Sequence, residues 1–191
     1  MGNPLYYIAE GFRQIIQGAG SAVDRLFSSH TREVDTPISE VKAGPLKVTT
    51  SFNVANTTTI GTGFGDMLKM NSQNKPQSGP IIKVTNTTEA SYQTKVELSG
   101  NVRGADVKLT NKTNVSTKKV TTTTELSVGK TASSTSGKTT VGAAAFIAVK
   151  ATSSNGQNTS QTTTGVKASV SYSTGKATIT NTFKVGVITS Q

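Results

Sequence analysis

Two hydrophobic periods divide the chain. Between Leu5 and Phe27, apolar residues recur at Leu5, Ile8, Phe12, Ile15, Ala19, Ala22 and Leu26. That spacing follows one face of a helix. Ile16, Val23 and Phe27 widen the stripe, and Glu10, Arg13, Gln14, Gln17, Asp24 and Arg25 fall mostly opposite. Pro4 suits a first helical turn, while Gly18 and Gly20 weaken the middle. The pattern predicts an amphipathic helix over residues 1–28. Its docking or oligomerising face would be Leu5, Ile8, Phe12, Ile15, Ile16, Val23, Leu26 and Phe27. The plainer alternative is a helix that covers one face of its own sheet.

Residues 29–46 lose this period. They are polar, carry Pro37 and Pro45, and predict an extended linker arm.

From Lys47 onward the period is two. Strands are predicted at 47–54, 80–85, 94–99, 106–110, 122–128, 165–172, 176–183 and 184–189, where Val, Ile and Leu alternate with Thr, Ser and Lys. Expected turns are Ser99-Gly100-Asn101, Arg103-Gly104, Gly129-Lys130, Ser136-Gly137, Asn155-Gly156 and Thr174-Gly175. One apolar run, Val141 to Val149, does not alternate; a strand buried on both faces, inside an oligomer, is the preferred reading. The fold expected is mainly β: an antiparallel sandwich or barrel over 47–191, preceded by the helix and the linker arm.

Composition sharpens this picture. Hydrophobic residues are 33% and aromatics 5%, with no Trp, so the core is thin and built from small side chains. A thin core gains little burial against chain entropy and often relies on oligomerisation. The chain lacks Cys, which excludes disulfides and thiolate chemistry. No cleavable secretory signal is visible, and no apolar run approaches the ~20 residues of a membrane-spanning helix.

Net charge is +10, unevenly placed: residues 51–191 hold fifteen basic and five acidic side chains. After Glu125 there are no acids, while Lys130, Lys138, Lys150, Lys167, Lys176 and Lys184 follow. These lysines are candidate contacts for an anionic partner: nonspecific nucleic acid, or an acidic protein or lipid surface. Solubility of a Thr-rich surface explains them equally.

Catalytic patterns fail on inspection. Ala132 to Thr139 imitates a phosphate loop, but lacks the first Gly and a later metal-holding Asp, so a hairpin turn is expected there. In Gly61-Thr62-Gly63-Phe64-Gly65-Asp66 the third glycine of a dinucleotide fingerprint is replaced by Asp66. His30 is the single histidine and reads as a solvated linker residue. The ten acids form no suggestive pair. No enzyme, cofactor or metal site is expected.

The function expected first is structural: a component of a macromolecular assembly, such as a virion's minor capsid, decoration or tail protein, with a homo-oligomer and other assembly proteins as partners. This rests on the plan of arm plus β-domain. The alternative is a membrane-active, pore-forming β-protein, located at a secreted or membrane surface. An adhesin ranks third, since Trp platforms are missing.

Overall fold

The computed structural model describes residues 25–63 and 82–190. They form eight antiparallel strands: β1 (Arg25–Ala43), β2 (Leu46–Gly63), β3 (Ile82–Val102), β4 (Ala105–Val115), β5 (Lys119–Ser133), β6 (Thr139–Ser154), β7 (Gln157–Ser173) and β8 (Thr178–Ser190). Each strand pairs with its chain neighbours, and β8 closes on β1, so the sheet is a closed up-and-down barrel. Closure removes the sheet edges that an open sandwich would have to protect.

The strands are strongly staggered. Stepping from partner to partner, Lys42 leads through Lys47, Glu97, Thr110, Glu125, Ala148, Thr163 and Ile188 to Arg25. The circuit begins near the end of β1 and returns at its start. Such a stagger requires steeply tilted strands, which widen the barrel and lengthen each strand's path through the wall.

Short turns connect most strands. Gly44-Pro45, Arg103-Gly104, 134–138 and 174–177 lie at one rim. Turns 116–118 and 155–156 lie at the other, together with the start of β1 and the end of β8. Arg103 and Gly104 both take positive φ (49° and 81°), as do Asn155 and Gly156 (50° and 78°), which is the backbone that two-residue hairpins need. The phosphate-loop imitation at 132–139 is the β5–β6 hairpin, closed by Ser134 N–H to Thr139 O at 2.8 Å.

Three expectations change. First, the predicted helix falls mainly outside the described residues, and no helix occurs among the described ones. Its last positions, Leu26 and Phe27, belong to β1, and Phe27 is buried inside the barrel. Second, residues 29–46, expected as a linker arm, make up most of β1, the Gly44-Pro45 turn and the first residue of β2; β1 pairs with β2 except at Ile38, and with β8 as far as Asp35. Pro37 sits where the β1–β2 register shifts, so its missing N–H falls at a bulge. Third, Ser99 to Asn101 lies within β3, and Gly129-Lys130 lies within β5.

Glycine inside a strand here marks close approach. Gly165 and Gly186 pair across β7 and β8, and a Cβ on either would overlap the neighbouring strand's backbone. The same row continues to Phe146 on one side and Phe27 on the other. Both rings belong to one buried cluster with Ala148 and Ile188, so the bare glycines leave room for the rings. Gly186→Val is expected to destabilise the barrel by about 3 kcal/mol or more through overpacking. Urea unfolding, followed by circular dichroism, measures it.

Candidate functional site

Strand alternation gives every strand one face to the lumen and one to the outside. In most small proteins the apolar face is the covered one. Here it is inverted. Asn53, Ser51 and Gln93 are the most buried side chains, at 1–2% exposure, while Val84 and Tyr92 each keep 63%. Among the described residues, twenty-one large hydrophobic side chains are exposed and three hydrophobic residues are buried.

The outer apolar residues form continuous rows. Leu46, Leu98, Leu109, Leu126 and Ile147 stand opposite one another across β2 to β6. A second row runs Val107, Val128, Ala145, Val166, Val185 across β4 to β8. Val141–Val149 follows the same rule: Val141, Ile147 and Val149 face outward, and Phe146 and Ala148 face inward. The run does not alternate because its lumen-facing partners are Gly142, Ala144, Phe146 and Ala148 instead of polar residues.

The lumen is charged and crossed by ion pairs. Glu33 on β1 pairs with Lys112 on β4. Glu125 on β5 pairs with Lys167 on β7 and, at 2.6 Å, with Lys184 on β8. Each of these reaches beyond neighbouring strands, so the pairs tie together strands two or three apart in the wall. Glu97 holds Lys108 at 2.5 Å and Lys95 at 3.3 Å, and Lys119 holds Glu89 at 2.5 Å. The Asp35 carboxylate accepts from Asn53 Nδ2 at 2.7 Å and from Gln93 Nε2 at 3.4 Å. Lys184 Nζ also lies 4.5 Å from the Phe146 ring centroid, a favourable cation–aromatic distance. Beyond this braced layer is a cavity of about 610 Å³, lined by Ser99, Lys108, Ser127, Gly129, Ala144, Lys167 and Ser169 among others.

The candidate residues named from sequence separate. Leu5, Ile8, Phe12, Ile15, Ile16 and Val23 lie outside the described residues. Of the six lysines, Lys167 and Lys184 share the single Glu125 carboxylate in the lumen, and Lys150 shares the lumen-facing register of Phe146 and Ala148. Lys130 faces outward from β5 and donates to the Gly104 carbonyl, while Lys138 and Lys176 sit in hairpin turns of one rim. They do not form a single surface. What the sequence reading missed was the charge pattern: Lys95, Glu97, Lys108, Lys112, Glu125, Lys167 and Lys184 all keep to the polar phase of their strands. That phase lock was the available signal for a polar interior.

Among the described residues, no group of three or more His, Asp or Glu is placed to hold a metal ion. No known protein family and no curated protein matches the chain. Among solved structures it is similar to the beta domain of the Bordetella autotransporter Brka, at 10% identity, covering 88% of this chain and 100% of that one. The TM-score is 0.29, a likeness that carries no argument about function.

Proposed function

We propose that the chain works as a membrane-embedded β-barrel, with a braced, polar lumen that serves as a scaffold more than as an open channel. One observation carries this reading: apolar rows cover the outside while ion pairs and amides fill the inside. Single exposed apolar residues need no explanation, but continuous rows do. Burying one Leu- or Val-sized side chain is worth roughly 1.5–3 kcal/mol, so a wall of them favours an apolar surrounding strongly. Strand length agrees. The shortest strand, β4, has 11 residues, enough for a tilted strand to cross a bilayer core of about 30 Å. Inward polar and outward apolar alternation is the pattern of membrane barrels.

A second reading keeps the wall covered by protein instead of lipid, as in a virion or another assembly. The Thr-rich outer positions favour it: Thr122, Thr124, Thr162 and Thr164 interrupt the apolar rows.

Flotation with phosphatidylcholine vesicles after refolding from urea separates the two. The expected result is protein that floats with the vesicles, resists carbonate extraction and has a strand spectrum. A folded particle of defined mass that forms without lipid or detergent would overturn the membrane reading in favour of the assembly.

A further inference from the structure

The outer wall is interrupted by polar side chains in several places, such as Asn111, Thr113, Thr122 and Thr124; one such interruption carries an exposed arginine. Across β8, β1, β2 and β3 stands a polar row, Asn181, Arg32, Asn56 and Thr88. Next to it on β8 and β1 are Phe183 and His30. On one side the island ends at Val34 opposite Val54; on the other it continues through Thr58 and Asn86, beside His30, before Ile60 stands opposite Val84.

Arg32 is exposed, and among the described residues no carboxylate pairs with it. The carboxylates of the described strands occupy the lumen-facing register, so a second copy of the barrel wall would bring Arg32 no anion. The neighbours are ordered around it. The His30 ring stacks on Phe183 with centroids 4.4 Å apart, and its Nε2 lies 3.3 Å from Asn181 Oδ1. With Nε2–H donating, the Asn181 carbonyl is occupied and its amide N–H groups are left as donors. On the other side, Asn56 Nδ2 donates to Thr88 Oγ1 at 2.8 Å. The island therefore offers a guanidinium fork and an amide donor, with an aromatic flank, on a surface that elsewhere carries apolar rows.

Resting on the membrane reading above, we propose that this island binds the phosphate of an anionic lipid headgroup. Arg32 supplies the charge and the paired N–H donors that match phosphate oxygens. Asn181 adds a donor, and the Phe183–His30 stack receives the glycerol and upper chain. A headgroup fits an island a few side chains wide; a protein interface needs far more area.

The test uses the full chain refolded into phosphatidylcholine vesicles, with or without phosphatidylglycerol, then transferred to mild detergent for native mass spectrometry. Wild type is expected to insert into both vesicles and to retain phosphatidylglycerol at least 5-fold over phosphatidylcholine. Arg32→Gln should insert equally well and lose that preference. Arg32→Lys should keep part of it, and Lys138→Gln, at the rim, should keep all of it. Equal retention of both lipids by wild type, or an unchanged preference in Arg32→Gln, overturns the proposal while leaving insertion intact. A lipid-independent change of oligomeric mass in Arg32→Gln assigns the island to a protein contact and also overturns it. Failure to insert into either vesicle removes the membrane reading and this proposal together.

Discussion

On the proposed membrane reading, Leu126→Arg is expected to reduce vesicle insertion by about 30-fold or more, because an arginine on the lipid side near a bilayer centre costs about 2–4 kcal/mol. Leu126 is the midpoint of β5, seven residues from either end (Lys119–Ser133), so its side chain has no rim to reach. The matched control is Ser169→Lys. Ser169 lines the lumen cavity of about 610 Å³, where a long cationic side chain has both room and polar neighbours. The control should insert like wild type. If both variants insert equally, lipid does not contact the Leu126 face, and the wall is covered by something else. If both fail equally, charge is tolerated on neither face and the inside–outside assignment is at fault. Quantitative flotation, with refolded yield measured separately by circular dichroism, distinguishes these outcomes.

Much of the sheet after Lys47 was legible because its two faces differ chemically, although the strands expected at 176–183 and 184–189 are one strand, β8, and the described part of 80–85 falls with 94–99 in β3. Val96 and Leu98 against Lys95 and Glu97, or Val166 and Val170 against Lys167 and Ser169, give a clean period of two. The first strand was not legible, for a physical reason. Its outward positions Ser28, His30 and Arg32 are polar, and its inward positions Glu33 and Asp35 are polar too. A strand with two polar faces carries no hydrophobic period, and Pro37 adds a false break at a bulge. The same residues that hid β1 make up the outer island and part of the lumen network. The illegibility has a plain cause: side chains that make specific polar contacts depart from the binary pattern.

Which face is covered is a different matter, since alternation alone cannot settle it. A sandwich and a membrane barrel present the same period with opposite orientation. The discriminating feature is compensation. In a wet outer face, Lys and Glu need no partners. Here the acidic residues Glu33, Glu97 and Glu125 each meet at least one lysine from another strand, and they do so by facing inward. The lysine excess after Glu125, read first as a field for an external anion, is partly the counter-charge of Glu125 itself.

Glu125→Gln should therefore be the most damaging of the conservative lumen changes. The carboxylate is shielded, with 12% side-chain exposure, and it answers two lysines that are 20% and 27% exposed. Removing one partner of a shielded pair typically costs 3–5 kcal/mol, because the remaining charge is left without compensation. The lumen still admits some water near the cavity, so a loss of about 3 kcal/mol is expected, read as a lower urea midpoint for the detergent-held barrel at unchanged slope. Glu40→Gln provides the scale. Its pair with Lys47 is exposed, at 47% and 38%, and surface pairs contribute about 0–1 kcal/mol. Adding Lys184→Met to Glu125→Gln should recover part of the loss, since it removes one stranded charge and leaves an apolar chain beside Phe146. If the double variant is no more stable than the single one, the Glu125–Lys184 contact does not brace the barrel. If Glu40→Gln costs as much as Glu125→Gln, the lumen is as well hydrated as the rim, and the wall stands without its internal ion pairs.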